Sequence, residues 1–414
     1  MISRRGFLKK MVPLVGGTGF LISQPVPSLL PGLLARENAG KADSRSAWLE
    51  KIVRAAPKAR YWTSTEIQPP ECAQCHDSLA SLPHSNPEHK KNIVRCLLCA
   101  HRCMLKDGDR GRCRARLNVG GELRSLVYGR PLAMHTDPIE KKPFYHFLPG
   151  SSAFSFSTSG CPFRCKFCQN WEISQASPED YDRGFFKPED IVGESEKEKA
   201  PVIAFTYNEP TVFTEYLTDV ARAAKKKGMR CVLISCGFMN EEPLKEMCEV
   251  LQAIKIDLKG FSEEFYKNVS SAELKPVLRS IKQVHKSGVH LEIVNLVVPT
   301  LNDSDVMLKG LAEWIAGELG PDVPVHFTRF HPDYQLLNLP PTPVTTLERA
   351  HQIAIDKGIH YAFVGNVPDH PGNNTYCPSC KKVVVKRRGF FILEKSLKDG
   401  ACASCGQKIA GVWS

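Results

Sequence analysis

Three cysteines define the chemistry open to this sequence. In Gly160-Cys161-Pro162-Phe163-Arg164-Cys165-Lys166-Phe167-Cys168 the sulfurs are separated by three residues and then two. Thiolates are the usual protein ligands of iron–sulfur clusters, and this spacing lets one loop wrap three corners of a cubane. Three ligands for four irons leave one iron open to another molecule. The competing readings are buried thiols or a zinc site. Closed zinc sites take four ligands, and no fourth Cys or His follows in this loop.

Of sixteen cysteines, thirteen fall in tight groups. In a long chain such C-x-x-C pairs point to metal rather than to a disulfide framework. Cys96, Cys99, Cys103 and Cys113 could close around zinc or an auxiliary cluster, or stand as reduced buried thiols. Cys377-Pro378-Ser379-Cys380 and Cys402-Ala403-Ser404-Cys405 read as two knuckles joined by a hairpin, a zinc-ribbon or rubredoxin-like layout for zinc or iron. Cys72-Ala73-Gln74-Cys75-His76 has the form of a c-type haem attachment site. Its rival is a metal site completed by His84 or His89.

These residues need a scaffold, and the alternation of apolar runs with amphipathic stretches supplies one. Strands are expected at Ala153–Ser159, Val202–Tyr207, Arg230–Ser235, Ala253–Leu258, His290–Val298 and Val323–Phe330, with Tyr361–Gly365 as an extra. Helices are expected at Val212–Lys227, Glu242–Leu251, Leu274–Lys286, Asp303–Leu319 and Thr346–Lys357. Repeated βα units imply an α/β fold with a parallel sheet, and six of them suit a partial, TIM-like (β/α)6 barrel. In such a barrel the chemistry belongs at the carboxyl ends of the strands, where the three-cysteine motif falls.

The run from Cys161 through Trp171-Glu172-Ile173-Ser174-Gln175 resembles the radical S-adenosylmethionine (SAM) superfamily. It is similar to the AmmeMemoRadiSam branch, which is related to pyruvate formate-lyase activating enzymes. Asp137-Pro138-Ile139-Glu140-Lys141-Lys142-Pro143, Thr206-Tyr207-Asn208-Glu209-Pro210-Thr211, Ile256-Asp257-Leu258-Lys259-Gly260, Val298-Pro299-Thr300-Leu301-Asn302-Asp303 and Arg329-Phe330-His331-Pro332 carry the same likeness, which spans roughly residues 92–414.

The resemblance implies a [4Fe–4S] cluster on catalytic Cys161, Cys165 and Cys168. Reductive cleavage of SAM would give a 5′-deoxyadenosyl radical that takes hydrogen from a substrate. A polypeptide glycine is one possible substrate; a small molecule or nucleic acid is equally open. It further implies SAM contacts by Phe167 (adenine), by Asn208 and Glu209 (ammonium side), by Asp257 at the end of the fourth strand, and by Lys259 and His331 (carboxylate or ribose). Relatives commonly carry Asn where this chain has Cys236 before Gly237. Implied partners are a flavodoxin- or ferredoxin-like one-electron donor and MEMO-like and AMMECR-like proteins.

Ser3-Arg4-Arg5-Gly6-Phe7-Leu8-Lys9 and the weakly apolar stretch after it resemble a twin-arginine export signal. Export to the periplasm or envelope is expected, the alternative being a cytoplasmic protein with an uncleaved signal-like tail. No run of apolar residues is long enough to span a bilayer. The net charge of +11 comes from scattered Lys and Arg, so a nucleic-acid surface is not expected. The expected organisation is signal and linker over 1–45, an N-terminal cysteine-rich module over 46–149, the barrel over 150–370 and a zinc-ribbon-like module over 371–414. Against the enzyme stands an exported iron–sulfur electron carrier, with or without haem, that performs no SAM chemistry.

Overall fold

One eight-stranded sheet carries the candidate site. Its strands are β1 (Ala133–Pro138), β2 (Ser152–Ser157), β3 (Val202–Phe205), β4 (Arg230–Ser235), β5 (Ala253–Asp257), β6 (His290–Val297), β7 (Val325–Arg329) and β8 (Ala362–Gly365). The computed structural model describes residues 45–64, 92–182 and 184–414. The twin-arginine segment, Cys72-Ala73-Gln74-Cys75-His76, His84 and His89 lie outside the described residues.

Strand order follows chain order from β1 to β8. From β2 to β8 every pairing is parallel, while β1 runs antiparallel to β2. The parallel strands are joined by α1 (Pro188–Lys197), α2 (Thr214–Lys226), α3 (Glu241–Val250), α4 (Leu274–Ser287), α5 (Asp305–Leu319) and α6 (Val344–Asp356). This monotonic winding is that of an opened (β/α)6 barrel with one parallel strand added, and it excludes a doubly wound sheet, whose order would reverse.

Alternation along the strands divides the molecule into an outside and a lumen. Ile203, Phe205, Leu233, Ile254, Ile256 and Ile293 pack outward into the main core shared with the helices. Ala153, Val202, Ala204, Val232, Ile234 and Ala253 face the other way and close on Ile139, Phe144 and Phe147. A face spanning four strands can wrap one short segment only if the sheet curls around it. Segment 139–147 thus plugs the amino-terminal end of the barrel, leaving the carboxyl end for chemistry.

Two smaller units flank the barrel. Trp62–Ser64, Val94–Cys96 and Met104–Leu105 form an antiparallel sheet next to a hairpin of Arg116–Val119 and Glu122–Ser125. Thr375–Tyr376, Val383–Arg388 and Phe391–Lys395 form a second antiparallel sheet, followed by the pair Leu397–Lys398 and Ala401–Cys402. The boundaries differ from expectation at several ends. The helix expected from Val212 begins as a tight turn over Pro210–Phe213, and α5 starts at Asp305 because Ser304 caps it, accepting from the Met307 N–H. Among the described residues no helix is long and apolar enough to cross a membrane.

Candidate functional site

The loop after β2 begins at Gly160, whose φ is +92° and where a Cβ would lie 2.2 Å from the Cys113 carbonyl oxygen. Only glycine combines that backbone with that approach. Backbone and side-chain bonds then fix the curve that follows. The Gly160 N–H donates to Ile173 O at 2.9 Å, Arg164 N to Ser270 O at 3.0 Å and Lys166 N to Val269 O at 3.0 Å. Arg164 Nη1 donates to Cys161 O (2.7 Å) and Phe163 O (2.9 Å), and Gln175 Nε2 also reaches Phe163 O (3.2 Å).

Cys161 and Cys165 are buried and Cys168 is half-buried. Burial, with the negative charges of Glu209 and the neighbouring cysteines, pushes the Cys161 thiol well up. Burial likewise takes Cys165 to about 11 and raises Cys168. Alone, these thiols would keep their protons at neutral pH. A coordinating metal reverses that balance, because a bound thiol is deprotonated outright.

Three further strands bring polar groups to the same rim. After β3, Asn208 donates both amide hydrogens to the cluster loop, at Thr158 O (2.9 Å) and Gly160 O (2.7 Å). Glu209 beside it is 2 % exposed. Its Oε1 accepts from the Thr211 N–H (3.1 Å), the Thr211 hydroxyl and the Ser235 hydroxyl (2.8 Å), and its Oε2 from the Cys236 N–H at 2.6 Å. Glu209 therefore ties the end of β3 to the end of β4. On β5, Asp257 lies between Lys255 and Lys259, with Lys259 Nζ 3.2 Å from Oδ2. Burial works against all three charges. The two lysines nevertheless hold the Asp257 carboxyl below its usual range, and Asp257, Cys165 and Cys236 keep the Lys259 ammonium well above its own.

The donor set fits a cluster with one open corner. Two buried thiols and a half-buried one share one loop, a half-buried ammonium interacts with Cys165, and two nearby acceptors are left over. Asn208 Oδ1 and Ser157 Oγ are buried with no hydrogen-bond partner. Orphaned buried polar atoms are rare in folded chains and mark places where an absent group belongs.

The Radical SAM superfamily profile matches residues 155–309, from β2 into α5. An uncharacterized protein of Methanocaldococcus jannaschii is 42% identical over 320 residues, covering 77% of this chain and 95% of that one. The pyruvate formate-lyase 1-activating enzyme of Escherichia coli K12 is 23% identical over 234 residues, covering 52% of this chain and 93% of that enzyme. A pyruvate formate-lyase-activating enzyme of Clostridium pasteurianum is 25% identical over 165 residues, 38% of this chain and 66% of its own. The chain belongs to the radical SAM superfamily.

Radical SAM membership implies the [4Fe–4S] cluster and SAM, and the rim brings together most of the residues that sequence reasoning assigned to them. Phe167 is 5% exposed. It stacks on Phe265 with ring centres 6.4 Å apart, and Lys259 Nζ stands 5.7 Å from its centre. His331 lies two residues beyond β7 and is exposed, unlike the buried or half-buried residues of the other strand ends. Sequence reasoning missed Lys255, a buried lysine inside an apolar strand. It also left Cys236 as a departure from its relatives, whereas its N–H binds Glu209 and its thiol interacts with Cys161.

Below the radical SAM barrel, Cys377, Cys380, Cys402 and Cys405 have their sulfurs all within 4.8 Å of one another. The separations are 3.5 Å for Cys377–Cys405 and 3.7 Å for Cys380–Cys402. A tetrahedron of Zn–S bonds has edges of about 3.8 Å, so the four thiolates are already spaced for a single ion. Replacing Cys380 and Cys402 together by serine is expected to remove one metal ion per chain while leaving the brown absorbance of the barrel cluster. Elemental analysis beside the visible spectrum checks this, and unchanged metal content would refute it.

Proposed function

We propose that this chain is a hydrogen-abstracting radical SAM enzyme of the activating-enzyme kind, acting on a glycine in a polypeptide. The observation that supports this most is the convergence of β2, β3, β4 and β5 on the cysteine loop, with the Glu209 carboxylate interacting with Cys161 and the Lys259 ammonium with Cys165. When bound, the reduced cluster and SAM supply a 5′-deoxyadenosyl radical for abstraction.

The rest of the work falls to the protein. Cys161, Cys165 and Cys168 would hold the cluster and leave one iron accessible. Asn208 fixes the neck of the loop and offers Oδ1 to a donor. The carboxylate of Glu209 would receive the ammonium of SAM, the Lys259 ammonium its carboxylate, and Phe167 its adenine. The walls of the lumen keep water and stray reductants from the radical. The polypeptide substrate is proposed on the likeness to pyruvate formate-lyase activating enzymes, which this chain matches along nearly their full length in the Escherichia coli case.

Glu209→Gln tests the placement of SAM. Cluster content should be preserved, and SAM affinity should fall tenfold or more, because a charged hydrogen bond is worth about 1.5–3 kcal/mol. The measurement is the SAM-induced change in the paramagnetic resonance of the reduced cluster, titrated in wild type and variant. An unchanged SAM response with a lowered melting temperature would make Glu209 only a tie between β3 and β4. A wild type that forms no 5′-deoxyadenosine from SAM under reducing conditions would end the enzymatic reading.

A further inference from the structure

Cys96, Cys99, Cys103 and Cys113 lie more than forty residues before the cluster motif, yet their loops touch the SAM rim at two places. The first is the loop after β4. Cys99 bridges to Met239, Ala100 N donates to Phe238 O at 3.2 Å, and Asn240 N donates to Leu98 O at 3.2 Å. Asn240 also spends its side-chain amide on Leu97 O (2.7 Å) and Cys99 O (3.0 Å). The second is the cluster loop itself. The Cys113 carbonyl occupies the space that a Cβ on Gly160 would need. Arg112 Nε and His101 Nε2 both reach Pro162 O, at 3.2 and 3.1 Å, and Arg164 reaches back to Arg112 O.

The four thiols themselves are gathered. Cys99 interacts electrostatically with Cys96, Cys113 and Cys103. Yet no three of these sulfurs lie within 4.8 Å of one another; among the described residues the ribbon cysteines alone form such a cysteine set. Cys161, Cys165 and Cys168 likewise do not form such a set. One tetrahedral zinc ion demands sulfurs about 3.8 Å apart, whereas a cluster holds its cysteines on separate irons and spreads them.

A fully buried guanidinium completes the site. Arg116 pairs with Glu215 at 2.7 Å through Nη2. Its charge is felt at Cys96 and Cys113, and its Nε is buried without any hydrogen-bond partner. A donor left in that position matches the N–H···S bonds that cluster sulfurs accept.

We propose that Cys96, Cys99, Cys103 and Cys113 hold a second iron–sulfur cluster, and that its loops clamp the cluster loop after β2 to the loop after β4. This does not depend on which substrate the enzyme attacks, or on whether it cleaves SAM.

The test starts from full-length protein in which Cys161, Cys165 and Cys168 are all alanine, reconstituted anaerobically with iron and sulfide. It should keep roughly half of the wild-type acid-labile sulfide, and on reduction a paramagnetic signal that SAM does not alter. Adding Cys99→Ser and Cys113→Ser should abolish both. Labile sulfide absent from the three-alanine variant, or zinc bound at the N-terminal cysteines, overturns the proposal. Should that variant fail to fold, reduced wild type decides the matter. Two signals, of which SAM shifts one, support a second cluster, and a single signal wholly shifted by SAM refutes it. With the first cluster present, Cys99→Ser together with Cys113→Ser should weaken SAM binding about tenfold; unchanged binding refutes the clamp.

Discussion

Alanine at Cys161, Cys165 or Cys168, each alone, is expected to take 5′-deoxyadenosine formation to the detection limit and to remove the barrel cluster. Three thiolates for four irons leave no redundancy, since losing one opens a second iron to solvent or reductant. The one complication is local. Cys236 is buried beside Cys161 and interacts with it, so it is a thiol within reach of the vacated corner. Cys161→Ala should therefore be compared with Cys161→Ala made together with Cys236→Ser. Residual cluster in the first and none in the second identifies Cys236 as the substitute ligand. Full SAM cleavage in any of the three single variants would contradict the assignment of the motif.

The second large effect lies at the opposite end of the barrel. Glu292 on β6 is fully buried and accepts from the backbone N–H groups of Tyr145 (3.0 Å) and His146 (2.8 Å). It also accepts from His290 Nε2 (3.0 Å) and His326 Nε2 (2.6 Å). Burial alone would raise this carboxyl, but the two imidazoles hold it far below its usual range. In Glu292→Gln an amide N–H₂ would face these donors, and Arg387 would keep Glu140 but lose one of the carboxylates that favour its charge. Breaking a buried pair from one side costs about 3–5 kcal/mol. We expect a melting temperature lower by roughly 5–10 °C, measured by calorimetry. An unchanged melting temperature would show that the Glu292 cluster does not hold the floor.

Acid should act on the same place. Burial drives His146 down to about 3 and lowers His326 from 6.5, so both favour the neutral ring when folded. The unfolded chain then binds more protons in mild acid, and the stability contributed by these rings is complete above about pH 6.5 and lost as pH falls below it.

The fold was legible where its signals were local. Arg230–Ser235 matched to the residue, because a continuous apolar run ends at a polar turn. Helix α1 was missed because Pro188–Lys197 buries only Ile191, Val192 and Ser195, and its charges read as a loop. Strand β1 was missed because every residue of it is half-buried or exposed, with no alternation to read. The three cluster cysteines were legible for the same local reason. Glu292 and the bonds from Asn240 to the Cys96–Cys99 turn were not, since those pairings join residues on separate elements, and Lys255 was not because it sits inside an apolar run and pairs with Asp257 on its own strand.

The plug that floors the barrel is braced by residues that come after the barrel. Val412 pairs with the plug through its N–H to His146 O and its O to the Leu148 N–H, both at 2.7 Å, while Arg387 reaches Tyr145 O at 2.6 Å. During synthesis every wall strand therefore leaves the ribosome before the residues that brace the plug beneath it. Those residues belong to the four-cysteine unit and can be positioned only when it has folded. If the four sulfurs take the ion their spacing allows, metal supply to that unit would become a checkpoint on maturation, and in a metal-starved cell the chain would accumulate with finished walls and an unbraced plug, accessible to proteases from below.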